Sequence, residues 1–440
     1  MKKIFITFLG TNAYLHTKYK IDDFISEPVR YVQEALAKYF CKNWNDRDRF
    51  IVFATIGENG SIKKNWEKGE ISKFDNFGKD FDKEPKGLQD RLKNLNLPCI
   101  VEMKEIPDGI KEDEIWKIIK IINDNIEEKS ELYIDITHSF RFMPMIIPAM
   151  ITFLKTTKNI TLHSIHYGAF EVLGNNSDVC KMELEKRIAP IRELTEIYKM
   201  IEWSEAVNAF LKFGSGEALI NQIDNINKNK LDKKSEKLLN PLKRNIKNID
   251  EALKYNNANE IKKAENIKIS KKINLEIASN LFALKEISPK IEKYLYQWSD
   301  NEVLNSLYAS KWCLDNDRFA QALTFAHEGM ISFFCKIFGW DKSKKEHRNS
   351  IDFTIQIKIG KAKQENFKNS NQDIIKWYKD NIDTALNKLD KIDTDLLENF
   401  INLRNWRNTI NHARDGDRKN MTKNFPTLLD RYIDLIDKNK

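Results

Sequence analysis

At 440 residues the chain is longer than one hydrophobic core sustains, and its length predicts two or three domains. A hydrophobic share of 41% and a charged share of 31% describe a soluble globular protein, and no run reaches the roughly 18–20 apolar residues of a membrane span. The net charge of +8 is compatible with a polyanionic partner, while five scattered cysteines without a Cys-x-x-Cys pair exclude a disulfide framework and a zinc ribbon and point to the reducing cytoplasm.

The opening MKKIFITFLGTN has two lysines and a short apolar run, as a secretion signal would, but it lacks a small-residue cleavage site and reads as a strand. Four further strands are predicted at RFIVFATIG, PCIVEMKEI, ELYIDITH and ITLHSIHYGAF. Between them, EPVRYVQEALAKYF, KGLQDRLKNL, DEIWKIIKIINDNI and MPMIIPAMITFLK carry helical periodicity. Strands alternating with helices imply a parallel sheet covered on both faces, a doubly wound α/β domain over residues 1–185. After about residue 185 the strand signals stop, and helices are expected to the C-terminus. Residues 186–300 read as a helical connector, in which the charged, Asn-rich stretch 221–275 is expected to be a solvated arm or flexible insert. Residues 301–440 regain a dense apolar pattern and are expected to form a helical core. No internal repeat is evident.

In a doubly wound sheet, ligands bind beyond the carboxyl ends of the strands where strand order reverses, commonly between the first and fourth strands. Strand one runs into GTNAY, where Gly10 permits close backbone approach and Thr11 and Asn12 offer hydrogen bonds. Strand four ends in DITHSFR, which is expected to open a helix and so place Thr137, His138 and Ser139 near free backbone N–H groups, with Arg141 adding positive charge. Thr55 and Gly57, closing strand two, are expected at the rim. Neither GxGxxG, GxxxxGK[ST] nor GxSxG occurs in the required context, which argues against nicotinamide, P-loop and serine-hydrolase sites. His163 and His166 stand three apart on a strand, so they are expected on opposite faces, and no metal site is predicted.

A second candidate lies in LLENFINLRNWRNTINHARDG. Leu396, Phe400, Leu403 and Ile410 line one helical face, and Arg407 falls within it. A guanidinium there requires an anion, either a phosphate or an internal glutamate. His412 precedes Gly416, the expected helix end.

Taken together, LGTNAY, DITHSFRFMP, HYGAFE and RNTINH resemble the CRISPR-associated CARF–HEPN ribonucleases of type III systems. Residues 1–185 are similar to a CARF sensor, and residues 301–440 look like a HEPN domain, whose Arg-Asn-x-x-x-His motif is matched by Arg407, Asn408 and His412. The resemblance implies that Gly10, Thr11, Asn12, Asp135, Thr137, His138, Ser139 and Arg141 contact a cyclic oligoadenylate activator, with cyclic tetra-adenylate the expected form. It also implies metal-free cleavage of single-stranded RNA by a homodimer, without a cofactor. In that chemistry Arg407 would stabilise phosphorane charge, His412 would transfer protons, and Asn408 would orient one of them. Two alternatives stay open: a cyclic-nucleotide-responsive RNA- or protein-binding regulator, and a sensor that mainly degrades its ring.

Overall fold

The computed structural model describes residues 1–71, 86–226, 233–258, 261, 282–295, 297–412 and 418–438. It divides into two compact units, Met1–Lys199 and Met200–Lys440.

The first unit holds strands β1 (Lys2–Leu9), β2 (Lys18–Ile21), β3 (Phe24–Ile25), β4 (Arg49–Thr55), β5 (Ile100–Ile106), β6 (Ser130–Asp135), β7 (Thr161–Gly168) and β8 (Ile188–Glu193). They form one sheet in the order β3-β2-β8-β7-β6-β1-β4-β5, parallel from β7 through β5. The five expected strands are all present, and strand order reverses between β1 and β6, as expected of a doubly wound sheet. Period-two alternation divides the strands between two cores. Phe5, Leu9, Phe50 and Val52 join the core on one face, and Ile4, Ile6, Phe8, Ile51 and Phe53 the core on the other. Helices α1 (Val32–Phe40) and α2 (Leu88–Asn94) cover the first face; α3 (Glu112–Asn125) and α4 (Met143–Lys158) cover the second. A short helix α5 (Asn176–Val179) packs with Leu15.

Strand signals do not stop at residue 185. β8 follows it, antiparallel to β7 and parallel to β2, which in turn pairs with β3. These strands were hidden because they are short and half-polar: in IAPIRE only Ala189 and Ile191 are buried. They gain their hydrogen bonds from a sheet that the other strands build.

The second unit is helical: α6 (Thr195–Phe213), whose first turn belongs to the first unit, α7 (Glu217–Asp224), α8 (Lys233–Tyr255), α9 (Phe282–Leu295), α10 (Glu302–Asp315), α11 (Phe319–Phe338), α12 (Lys345–Lys358), α13 (Gln372–Leu389), α14 (Thr394–Asn411) and α15 (Arg418–Lys438). No helix among the described residues is long and apolar enough to cross a membrane. Leu396, Phe400 and Leu403 are buried as the stripe on α14 requires, while Ile410 is half-buried. Gly416 lies outside the described residues.

The solvated-arm reading of 221–275 fails for its described part. In α8, Leu239, Leu242, Ile246, Ile249 and Leu253 recur at helical spacing and are buried in the same core as Phe400 and Leu403. Lysines on the remaining faces mask this stripe when composition alone is read. The expected connector therefore shares one core with residues 301–440, from Trp203 to Ile436. The rest of 221–275 (227–232, 259–260 and 262–275) lies outside the described residues.

Leu242→Ala is expected to destabilise the second unit by about 2–5 kcal/mol, as for other fully buried leucines. Urea unfolding followed by tryptophan fluorescence checks this; a change below about 0.5 kcal/mol would return α8 to a surface role.

Candidate functional site

At the carboxyl ends of β1, β4 and β6 a cleft of about 270 Å³ opens, lined by Gly10, Thr11, Asn12, Thr55, His138, Ser139, Phe140 and Arg141 among others. Of the expected ligand residues, Gly57, Asp135 and Thr137 are not part of its wall. Asp135 is fully buried beneath it, accepting from Thr7 Oγ1 at 2.6 Å and from Thr137 N at 3.0 Å. Burial pushes its carboxyl up, and those hydrogen bonds only partly offset this. Thr137 Oγ1 also donates to Asp135 and accepts from Gly168 N at 2.7 Å, so its hydroxyl is committed inward. Both residues tie strands together instead of facing a ligand. Gly57, with φ of 100°, supplies a left-handed turn after β4.

Thr55 lines the cleft, but its hydroxyl is tied to Ser61: Ser61 N donates to Thr55 Oγ1 at 2.8 Å, and Thr55 N donates to Ser61 Oγ at 2.8 Å. Nor does DITHSFR open a helix directly. α4 begins at Met143, and the intervening Ser139 N and Met143 N close turns onto Ile136 O and Phe140 O. Ser139 Oγ likewise donates to Ile136 O at 2.8 Å. The expected row of free N–H groups at 137–139 is therefore partly occupied. Arg141 is exposed at the rim and is the only formally charged side chain in the cleft wall among the described residues.

The first loop is held from below by Asn65, which the sequence reading missed. Its Nδ2 donates to Gly10 O and Asn12 O, each at 2.9 Å, and its Oδ1 accepts from Tyr31 Oη at 3.2 Å. Nothing in SIKKNW marks it, because an asparagine in a polar stretch reads as surface. Gly10 is required by close packing: a Cβ there would stand 2.3 Å from the Tyr14 hydroxyl. Tyr14 packs on His138 at 4.3 Å between ring centroids, and His138 Nε2 is buried without a hydrogen-bond partner among the described residues. Burial pushes the His138 imidazole down to about 4, so it is neutral at physiological pH. Asn12 and His138 also border a neighbouring cleft of about 180 Å³ with Tyr14, Tyr19, Phe170 and Asn176. The combined surface mixes apolar and polar groups, carries the Arg141 guanidinium and is flanked by aromatic rings, which suits a phosphate-bearing nucleotide.

In the second unit, Arg407 sits near the end of α14 with 30% of its side chain exposed. Its Nη1 donates to Asn408 Oδ1 at 3.1 Å, and its Nη2 stands 3.6 Å from Glu328 Oε1 on α11. Asn408 is thereby placed against Arg407. His412 caps α14 through its backbone N–H to Asn408 O at 3.0 Å, with an exposed imidazole that makes no hydrogen bond to a described residue.

Residues 4–171 match the family model for the CARF domain of CRISPR system endoribonuclease Csx1. The chain is a CRISPR-associated CARF-domain protein. Its residues 199–301 match a second model, the second domain of CRISPR-associated protein MJ1674. MJ1674 itself, from Methanocaldococcus jannaschii, is 25% identical over 339 residues, covering 74% of this chain and 48% of the relative. The chain thus spans about half the length of the curated relative it matches.

The opposite-face argument for His163 and His166 in the CARF domain is overturned. Register shifts between Leu132 and Tyr133, so that Leu132 pairs with Leu162 but Tyr133 with Ser164, leaving His163 as an extra residue. His163 then stacks on Tyr133 at 4.1 Å and His166 packs on Phe40 at 4.8 Å, while Phe40 and Tyr133 meet at 5.4 Å. The two imidazoles share one face. His163 Nδ1 meets Glu131 Oε1 at 2.9 Å and His166 Nε2 meets Ser164 Oγ at 2.8 Å.

Burial pushes His166, like His138, down to about 4. Between pH 6.5 and 4 the unfolded chain binds protons that the folded chain refuses, so stability is full above 6.5 and falls as the pH drops. Each imidazole contributes a loss of up to about 3 kcal/mol on completing that range. Thermal melting between pH 7.5 and 4.5 should show this fall, and His166→Gln should flatten it; parallel profiles for the two proteins would remove His166 as a cause.

Proposed function

We propose that this chain is a cyclic oligoadenylate-activated, metal-independent endoribonuclease of type III CRISPR defence, acting in the cytoplasm as a homodimer. The observation that carries this reading is the coexistence of a CARF cleft at the strand-order reversal with an accessible Arg407, Asn408 and His412 in a helical unit. The expected parts 1–185, 186–300 and 301–440 become sensor, connector and HEPN ribonuclease domain, with the sensor extended past 185 to include β8 (Ile188–Glu193) and with connector and nuclease sharing a core.

In the cleft, Gly10, Thr11 and Asn12 present backbone and amide groups and Arg141 meets a phosphate at the rim, while the neutral His138 ring, its Nε2 buried, backs the first loop through Tyr14. Asp135, Thr137 and Asn65 act at one remove by fixing the loops. RNA carries its own nucleophile. The 2′-hydroxyl gives its proton to solvent water and forms a bond to phosphorus as the bond to the 5′-oxygen breaks, leaving a 2′,3′-cyclic phosphate and a 5′-hydroxyl. Arg407 stabilises the charge on the phosphoryl oxygens, His412 protonates the departing 5′-oxygen, and Asn408 holds Arg407. One arginine and one histidine make a sparse site, and the sequence has a single copy of the motif, so two chains about a twofold axis would furnish a composite groove. A cyclic ligand of matching symmetry would couple the sensors to that groove.

The decisive assay is a labelled single-stranded RNA in EDTA, with and without cyclic tetra-adenylate. Cleavage should require the ring and fall by about 100-fold or more in Arg407→Ala and in His412→Ala. Cleavage unchanged from wild type in both variants would overturn the assignment. A ring-responsive RNA-binding regulator is the second reading, favoured by the internal carboxylate that Arg407 faces; ring-dependent RNA binding without cleavage would establish it. Asn65→Ala should raise the ring concentration needed for half-activation about tenfold by freeing the Gly10–Asn12 loop, as measured by titration.

A further inference from the structure

The three guanidinium nitrogens of Arg407 have unequal surroundings. Nη1 is held by Asn408, Nε is buried without a hydrogen-bond partner among the described residues, and Nη2 faces Glu328 at 3.6 Å. That separation is an ion pair but too long for a hydrogen bond. The other carboxylate oxygen of Glu328 receives the Arg348 guanidinium from α12 in a much closer contact. His327 Nδ1 stands 3.7 Å from Glu328 Oε1, and its ring stacks on Phe400 of α14 at 5.5 Å. The packing of α11 on α14 therefore sets the carboxylate beside Arg407, while Arg348 holds it back from full contact.

We propose that Glu328, anchored by Arg348, is a positioning residue for RNA cleavage: it orients the Arg407 fork electrostatically while leaving the Nη2 donors for a phosphate. This rests on the ribonuclease reading above and names two residues outside the Arg-Asn-x-x-x-His motif. A direct Arg407–Glu328 fork would occupy the donors that a phosphate needs, whereas a carboxylate already committed to Arg348 attracts without occupying them. Arg404, one turn earlier on α14, shows the contrast: it is in close contact with Asp352 of α12. Glu328 is not a base in this scheme. Burial opposes its ionisation, but His327 and Arg348 outweigh burial and hold its carboxyl at about 2, where it is a poor proton acceptor.

The full chain, saturated with cyclic tetra-adenylate, tests this on a labelled single-stranded RNA in EDTA. Glu328→Gln should lower kcat at least about tenfold with KM changed less than about threefold and a melting temperature within a few degrees of wild type. Glu328→Asp should recover part of the loss. In an Arg407→Lys background, where no fork remains to be oriented, Glu328→Gln should cost less than about twofold further. Should Glu328→Gln fold poorly, Arg348→Met keeps the carboxylate and carries the test, with a kcat loss expected in the Arg407 background and little in the Arg407→Lys background. Independent, additive losses, or a kcat unchanged or raised by Glu328→Gln, would overturn the positioning role alone. No cleavage by wild type, or full cleavage by Arg407→Ala, would overturn the ribonuclease reading and this inference with it.

Discussion

A carboxylate without solvent access sits where the order of strands reverses, and the sensor cleft is organised around it. Asp135 receives Thr7 of β1 and Thr137 beyond β6; Thr137 in turn accepts from Gly168 at the end of β7. Gln33 of α1 extends the chain, donating to Thr7 Oγ1 at 3.2 Å and Phe8 O at 2.9 Å. One buried network thus joins three strands and a helix. An unsatisfied carboxylate there would be destabilising by several kcal/mol, so the donors and the backbone that carries them are constrained together. The loops above inherit that rigidity, and the residues free to meet a ligand are those the network does not use.

The two units handle polar groups by different means. In the CARF domain the cleft is shaped by neutral hydrogen bonds: Asn65 under the first loop, Ser61 on Thr55, and an uncharged His138 against Tyr14. Such bonds are directional and hold loops within a fraction of an ångström. The helical unit instead places Arg348, Arg404 and Arg407 against Glu328 and Asp352, with one cation in excess of the acids. Half-buried charges interact over several ångströms, so a phosphate entering that cluster would redistribute contacts among all of them. The cleft is thus preorganised, whereas the charge cluster is adjustable.

The five long strands and the covering helices were legible because short runs of six to eight residues, most of them rich in Ile, Val and Phe, alternate with stretches of helical periodicity, and the reversal between first and fourth strands followed from topology. Residues of the GTN and DITHSFR loops were legible as a site because both follow those strands. What the residues do within it was not. Asp135 and Thr137 have the same chemistry as true ligand contacts, and only their partners reveal that they face inward. β2, β3 and β8 were illegible because edge strands borrow stability from a neighbouring sheet, and α8 because lysines dilute its apolar stripe.

By itself the sequence determined the class of each unit, the position of the cleft loops and the motif Arg407–Asn408–His412, since periodicity and short-range spacing are properties of the chain alone. Tertiary structure alone decided that Asn65 supports the first loop, that a one-residue bulge brings His163 and His166 to one face, and that Glu328 stands beside Arg407. Asn65 and Gly10 are 55 residues apart and Glu328 and Arg407 are 79, so these relations exist only once packing brings distant segments together. Local preferences along the chain carry no record of such meetings, because the energy that fixes them comes from burial and from charges that no neighbour in sequence supplies.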